Sequence, residues 1–459
     1  MKWFGGYFME KKSTQGIDRI SALFDAGTFV EIGSFVRRSS KPEEYEGVVC
    51  GYGAIDGKLV FAFAQDSDRM KGAFDEIHAR KIETMYKMAI DNGAPVIAML
   101  DSAGALIFEG SAVLSGYGRM MKCVSEASGV IPQIAVVSGV CAGLLATTAA
   151  MYDFVITVKE KSKLYVNAPF VTGEKTADAE SAAANGIAAL VAENEEDAIL
   201  KTKELITILP ANNADGTSLE VNDDDLNRKV SLAGLDADAL LVTLADCGKF
   251  TELYASYDKG MKVGFATFGG IAAGVVFASG DITVNGARKA AKFTTICDSF
   301  NIPLLTLVDS EGVACEKGAE AAPFASELAK LAFAYTSSKN AKVTVVIGKA
   351  YGAAYTLMGS KSVGADVAFA LENAAISVLS LEASVAFAWN DRITAEKSRE
   401  ELENEWKEQC ASPVNAAEKG EIDDVIEDAE LRQRICAAFG MLFAKAQSKP
   451  TRKHVNMPL

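Results

Sequence analysis

The sequence predicts an α/β protein built from two tandem copies of one domain. Three observations carry that expectation. The chain repeats itself at an offset near 208 residues, short apolar runs alternate with helical segments in each half, and a polar stretch separates the halves.

The repeat is read directly from the residues. GAPVIAMLDSAGALIFEG (93–110) resembles NIPLLTLVDSEGVACEKG (301–318), so Asp101 matches Asp309. HARKI (78–82) aligns with GARKA (286–290) and places Lys81 opposite Lys289. IPQIAVVSGVCAGLLATTAAM (131–151) resembles AKVTVVIGKAYGAAYTLMGSK (341–361), with Gly143 opposite Gly352. Near the front of each half, LFDAGTFVE (23–31) resembles LADCGKFTE (244–252) at a longer offset, so one half carries an extra surface segment. A period above 200 residues is too long for a solenoid and indicates duplication of a whole domain. The boundary is expected near 210–232, where Asn, Asp and Gly cluster. That gives domains 1–232 and 233–459.

Strand-sized runs such as KLVFAFAQD, PVIAML, QIAVVSG and FVITV alternate with longer helical patterns, as in α/β architectures. Residues 127–158 hold a single charge, Asp153, and are long enough for a membrane span. Pro132, Gly139, Gly143 and Asp153 cut the stretch into strand-sized and helix-sized pieces, which favours a buried strand, a turn, a core helix and a further strand. The N-terminal MKWFGGYFMEKK has no apolar region of signal-peptide type.

Composition narrows the chemistry. Apolar residues make up 49% and charged residues 23% of 459, as in soluble globular proteins. With 61 acidic against 46 basic side chains the formal charge is −15, which speaks against general nucleic-acid binding. Eight cysteines lie without a CxxC pair, several inside apolar runs, so they read as free thiols of a cytoplasmic protein. Only two histidines occur, His78 and His454, and no zinc-ligand spacing is present, so no metal site is expected. His78 falls in a helical pattern and is assigned a structural or capping role. There is no GxSxG elbow and no phosphate-binding GxxxxGK[ST], which excludes a hydrolase serine of that type and ATP bound by a P-loop.

What remains is glycine. In each half, two strands end in Gly turns that lead into helices: DSAGA and GVCAGLLA in the first, DSEGV and KAYGAAY in the second. Such turns expose backbone N–H groups at the positive end of a helix. Two side by side form a site for a developing oxyanion.

These segments also identify a resemblance. FAQDSDRMKGAFDEIHARKI (63–82), GAPVIAMLDSAGALIFEG, SGVIPQIAVVSGVCAG, ICDSFNIPLLTLVD (296–309) and KVTVVIGKAYGAAYTLMGSK are similar to the carboxyltransferase subunits of biotin-dependent acyl-CoA carboxylases. The propionyl-CoA carboxylase beta subunit, the methylmalonyl-CoA decarboxylase alpha subunit and transcarboxylase are of this type. The resemblance runs from DRISALFDAGTFVE (18–31) to KPTRKHVNMPL (449–459).

It implies two crotonase-like (ClpP/crotonase) domains, the N-terminal one for acyl-CoA and the C-terminal one for biotin. The reaction implied moves CO2 between biotin on a separate carrier protein and a short acyl-CoA, through an enolate held by backbone oxyanion holes. The residues implied on the acyl-CoA side are Ala103, Gly104, Ala105, Gly143 and Leu144. On the biotin side they are Gly312, Val313, Gly352, Ala353 and Ala354. Gly72, Ala73 and Thr356 are implied in cofactor binding. Implied partners are a biotin carboxyl carrier protein, together with a biotin carboxylase or the subunits of a membrane sodium-pump decarboxylase. The site is implied to lie between the N-domain of one subunit and the C-domain of its neighbour, in a homo-oligomer, a hexamer. Placement is cytoplasmic, or peripheral to a membrane decarboxylase complex.

The chain departs from the family pattern at each turn. Where the family reads S-G-G-A-R-I-x-E-G, this chain has Ser102 to Gly110 with Leu106 in place of arginine. Leu144 replaces the second glycine of C-A-G-G-A. Ser310-Glu311-Gly312-Val313 replaces V-P-G-F, and Tyr351-Gly352-Ala353-Ala354-Tyr355 replaces Y-G-G-A-Y. Each change retains a backbone N–H. Two alternatives follow: a non-catalytic or altered-specificity paralogue that scaffolds a biotin-dependent complex, and a different crotonase-type reaction using Glu109 or Glu311.

Overall fold

A computed structural model describes residues 13–38, 44–173, 177–315, 320, 323–450 and 456. His454 and the first twelve residues, including the segment read for a signal peptide, lie outside the described residues.

The chain divides into two compact units, Met1–Ala214 and Asp215–Leu459. The division falls before the expected 232/233 boundary, and hydrogen bonds explain why. Asn212 donates to Gly93 O and Asn213 N–H to Val130 O, which ties them to the first unit. Glu220 N–H donates to Gly270 O and the Thr217 hydroxyl to Ala272 O, so the rest of the polar stretch already lines the second unit.

The first unit has strands β1 (Val30–Ile32), β2 (Val48–Ile55), β3 (Lys58–Gln65), β4 (Val96–Leu100), β5 (Gln133–Val137), β6 (Val140–Ala142), β7 (Phe154–Val158), β8 (Lys163–Tyr165) and β9 (Leu190–Ala192). Its main sheet has the order β1-β2-β3-β4-β5-β7-β9, and β6 pairs with β8 separately. β1 to β3 are antiparallel, and β3 onward run parallel.

The second unit has β10 (Phe250–Leu253), β11 (Met261–Phe268), β12 (Ile271–Ala278), β13 (Leu304–Ser310), β14 (Lys342–Tyr351), β15 (Val367–Leu371), β16 (Ala375–Ser377) and β17 (Asp424–Ile426). Its order is β10-β11-β12-β13-β14-β15-β17. β14 runs on where the first unit breaks into β5 and β6, and β16 pairs with its end as β8 pairs with β6. The two units therefore share one topology.

Local sequence explains the common parts. The β2–β3 hairpin turns on Asp56-Gly57 and the β11–β12 hairpin on Gly269-Gly270, all four at positive φ, the conformation that two-residue hairpin turns require. The crossover after β3 is the helix Glu76–Asn92, N-capped by Asp75 and closed by Gly93 at φ +59. It buries His78, Ala79, Lys81, Ile82, Met85, Tyr86 and Ala89, one face at three- and four-residue spacing. Its counterpart Val284–Ser299 is capped by Thr283 and buries Ala287, Lys289, Ala290 and Phe293. The central strands β4, β5 and β7 are buried throughout, as expected of parallel strands covered on both faces.

Residues 127–158 are cut as the sequence suggests, into β5, β6, the helix Leu144–Ala149 and β7. Among the described residues no helix is long and apolar enough to cross a membrane. Cys50, Cys123, Cys141 and Cys297 are buried, whereas Cys247, Cys315 and Cys410 are exposed.

Candidate active site

The Gly turns lie where adjacent parallel strands end, β4 beside β5 and β13 beside β14. This is the edge at which open α/β sheets bind ligands.

In the first unit the turn after β4 is anchored through Asp101. Its N–H donates to Gln65 Oε1 at 3.0 Å. One carboxylate oxygen accepts from Arg19 Nη1 at 2.8 Å and the other from Val140 N–H at 3.3 Å. Arg19 also bonds Glu195 at 2.7 Å. Burial opposes the charge on both Arg19 and Glu195, yet bonding wins: the bonds to Asp101 and then Glu195 raise the guanidinium pKa, and the bond to Arg19 holds the Glu195 carboxyl below its usual range. Gly72 is required here because a β-carbon on it would lie 2.2 Å from Asp101 O. Gln65 also stands 3.4 Å from His78 Nε2, and His78 Nδ1 lies 3.3 Å from Glu46. His78 is fully buried, and its own N–H donates to the helix cap Asp75.

The accounting of backbone donors is selective. Ala103 N–H donates to Lys71 O at 2.9 Å, Gly104 N–H to Ser102 Oγ at 3.2 Å and Gly143 N–H to Tyr165 O at 2.9 Å. Phe74 bridges to the turn by donating to Gly104 O and accepting from Leu106 N–H, which leaves the N–H of Ala105 on the opposite side. Leu144 is the first residue of its helix, so its N–H has no intrahelical acceptor. Among the described residues no acceptor takes the N–H of Ala105 or of Leu144.

The second unit repeats several of these bonds. Gly312 N–H donates to Ser310 Oγ at 3.2 Å. Ile282 donates to Gly312 O and accepts from Ala314 N–H. Asp309 accepts from Lys349 N–H at 2.8 Å, and Gly352 N–H donates to Ser377 O at 2.8 Å. Gly143 (φ 61, ψ −127) and Gly352 (φ 52, ψ −122) share one conformation, which only glycine adopts readily. Among the described residues no acceptor takes the N–H of Val313 or of Ala353, nor that of Ala354, the next residue of the helix.

Of the residues singled out from the sequence, each half thus brings its two turns together at one sheet edge. Ala354 is buried behind the second turn and Thr356 is exposed on the short helix that follows. Ala73 lies beside Gly72, its carbonyl accepting from the buried Arg38. Sequence reading missed Gln65, Arg19 and Glu195. Nothing marks them beyond being polar, and they meet Asp101 only through the fold. Glu109, a candidate acid or base, accepts from Glu76 N–H at 2.9 Å. Glu311 is paired with Lys349. Among the described residues no group of His, Cys, Asp and Glu side chains could hold a metal ion.

Residues 11–457 match the family model described as the carboxyl transferase domain. The methylmalonyl-CoA decarboxylase subunit alpha of Veillonella parvula is 34% identical, over 98% of this chain and 95% of that protein. The propionyl-CoA carboxylase carboxyltransferase subunit of Haloferax mediterranei is 35% identical, over 96% of this chain and 93% of its own. A crystal structure of transcarboxylase 12S, described as a hexamer assembly with methylmalonyl-coenzyme A and methylmalonic acid bound, superposes with a TM-score of 0.91 at 33% identity, covering 98% of this chain and 93% of that one.

Proposed function

The chain belongs to the carboxyl transferase domain family, and on that premise we propose that it moves a carboxyl group between a short acyl-CoA of the methylmalonyl/propionyl type and biotin borne by a separate carrier protein. One observation carries the mechanism. Each unit holds two turns with matching bonds at Gly104 and Gly312 and at Gly143 and Gly352, and each turn carries an N–H that no acceptor takes among the described residues: Ala105 and Leu144 in the first, Val313 and Ala353 in the second.

In the decarboxylating direction the C–C bond between the α-carbon and the carboxyl carbon breaks. Its electron pair remains on the thioester as an enolate, whose oxygen takes up the charge. In this reading the N–H groups of Ala105 and Leu144 hold that oxygen, each oxyanion donor being worth about 3 kcal/mol of barrier. The carboxyl group would pass to a ureido nitrogen, and the proton released from that nitrogen would end on the α-carbon. When bound, biotin supplies the accepting nitrogen. The Val313 and Ala353 N–H groups would hold its ureido carbonyl, as the first pair would hold the thioester carbonyl. No titrating side chain is needed at either oxygen, which agrees with Glu109 being spent on the N-terminus of a helix.

Assembly into a homo-oligomer, a hexamer as in transcarboxylase 12S, is part of the proposal. Phe108 (92% exposed), Phe170 (89%) and Phe387 (87%) support it, being large apolar surface of the kind subunit contacts bury. The partners proposed are a biotin carboxyl carrier protein and either a biotin carboxylase or the other subunits of a membrane decarboxylase.

The direct test is to incubate the purified chain with methylmalonyl-CoA and follow propionyl-CoA. Formation that depends on added biotin, free or on a carrier domain, is expected. Its absence under conditions where the protein is assembled would remove the proposal.

A further inference from the structure

The two turns share a backbone but not a set of side chains. Superimposing the repeat puts Ala103 opposite Glu311, Val140 opposite Lys349 and Ala142 opposite Tyr351. The bonding that justifies the pairing is the same in each unit, since Val140 N–H donates to Asp101 and Lys349 N–H to Asp309. The first turn is therefore bordered by alanine and valine, and the second by an ion pair. Lys349 Nζ lies 2.5 Å from Glu311 Oε1, with both side chains about half exposed (52% and 57%).

Stability does not explain this pair. Exposed ion pairs contribute little to folding, because solvent screens them and ordering two long side chains costs entropy. Nor is it needed to set the turn, which is fixed by Asp309, Ser310 and the Ile282 bridge. The pair does hold an ammonium group on the strand that runs into the second turn, four residues before Ala353, with its backbone pinned 2.8 Å from Asp309. The bond to Glu311 keeps that ammonium protonated, raising its pKa. The glutamate is also one of the positions at which this chain departs from its family.

We infer that Lys349 is the residue that holds the carboxylate in transit at the second turn, and that Glu311 is its resting counter-ion, displaced when the carboxylated ureido group occupies the site. This rests on the function proposed above and adds a specificity element to it. An apolar border suits a short acyl chain, and a removable counter-ion suits an anion that must arrive and leave. Because Glu311 competes for the same ammonium, it weakens the hold on the carboxylate and eases release.

The test uses the full chain with methylmalonyl-CoA as donor and free biotin as acceptor. Lys349→Met is expected to lower kcat/KM for biotin by about 10–100-fold, the range for losing a hydrogen bond to a charged group, while KM for methylmalonyl-CoA stays within about twofold. Lys349→Arg should recover part of the loss, and Glu311→Gln should raise kcat/KM for biotin above wild type. If Lys349→Met fails to assemble, the Arg and Gln variants carry the comparison alone. The inference is overturned if Lys349→Met keeps its kcat/KM for biotin, if the loss appears in KM for the CoA ester, or if Glu311→Gln is as impaired as a lysine variant. Wild-type protein with no biotin-dependent transfer would instead overturn the underlying reading and this inference with it.

Discussion

The carboxylate of Asp101 occupies the space that a side chain on Gly139 would need: a β-carbon there would stand 2.1 Å from Asp101 Oδ1. Gly348 and Asp309 repeat the relationship at 2.3 Å. In both units the glycine lets an aspartate reach across from one strand end to the next and tie the two turns together. Gly139→Ala should push Asp101 away from Val140 N–H and Arg19, costing about 1–3 kcal/mol as an overpacking change. Transfer activity should fall by more than the melting temperature implies. Thermal melts and kcat for Gly139→Ala and Gly348→Ala check this, and a pair of variants with unchanged activity would refute the coupling.

Leu144 borders the first turn with a half-exposed side chain. Leu144→Gly should widen the acyl end of the site. The ratio of kcat/KM for ethylmalonyl-CoA over methylmalonyl-CoA is expected to rise, by up to about 10-fold for one methylene. An unchanged ratio would place the acyl chain elsewhere.

Lys289 is buried and donates to Asp258 O at 2.9 Å. Burial lowers its pKa to about 8 from an ordinary 10.5. Below pH 8 the amine is charged in both folded and unfolded chains, and the cost of burying the charge is present in full. Between pH 8 and 10.5 the unfolded chain binds more protons, so this group makes stability rise with pH. Relative to Lys289→Met, wild-type protein should gain stability across that window, by at most a few kcal/mol. Paired denaturant titrations at pH 7 and pH 10 measure it, and a difference that does not grow with pH contradicts the assignment.

Much of this molecule was legible before any coordinates. The offset between Asp101 and Asp309 marks the duplication. The Gly turns were legible as turns. Which of their N–H groups remain uncommitted was not. Ala103, Gly104 and Gly143 look like donors in the sequence, but Lys71 O, Ser102 Oγ and Tyr165 O take their protons. Two of those acceptors are carbonyls, which every residue has, so no residue type signals them. The boundary was expected within 210–232, and the two compact units divide at 214/215. A polar stretch reads as a linker even where its backbone, as at Glu220, pairs with a strand end.

Leu144 offers the most direct test of the claim that backbone N–H groups do the chemistry. As the first residue of its helix it occupies the position where proline is tolerated, and the preceding Gly143 is free of the β-carbon that proline would crowd. Leu144→Pro therefore deletes one N–H and little else of the backbone, while Leu144→Ala removes the side chain and keeps the donor. The measurement is kcat for biotin-dependent conversion of methylmalonyl-CoA to propionyl-CoA by the two variants, with native assembly verified. The account predicts that Leu144→Pro falls ~100-fold or more below Leu144→Ala, the loss of one oxyanion donor, with KM for the CoA ester little changed. Equal activity in the two variants would contradict it.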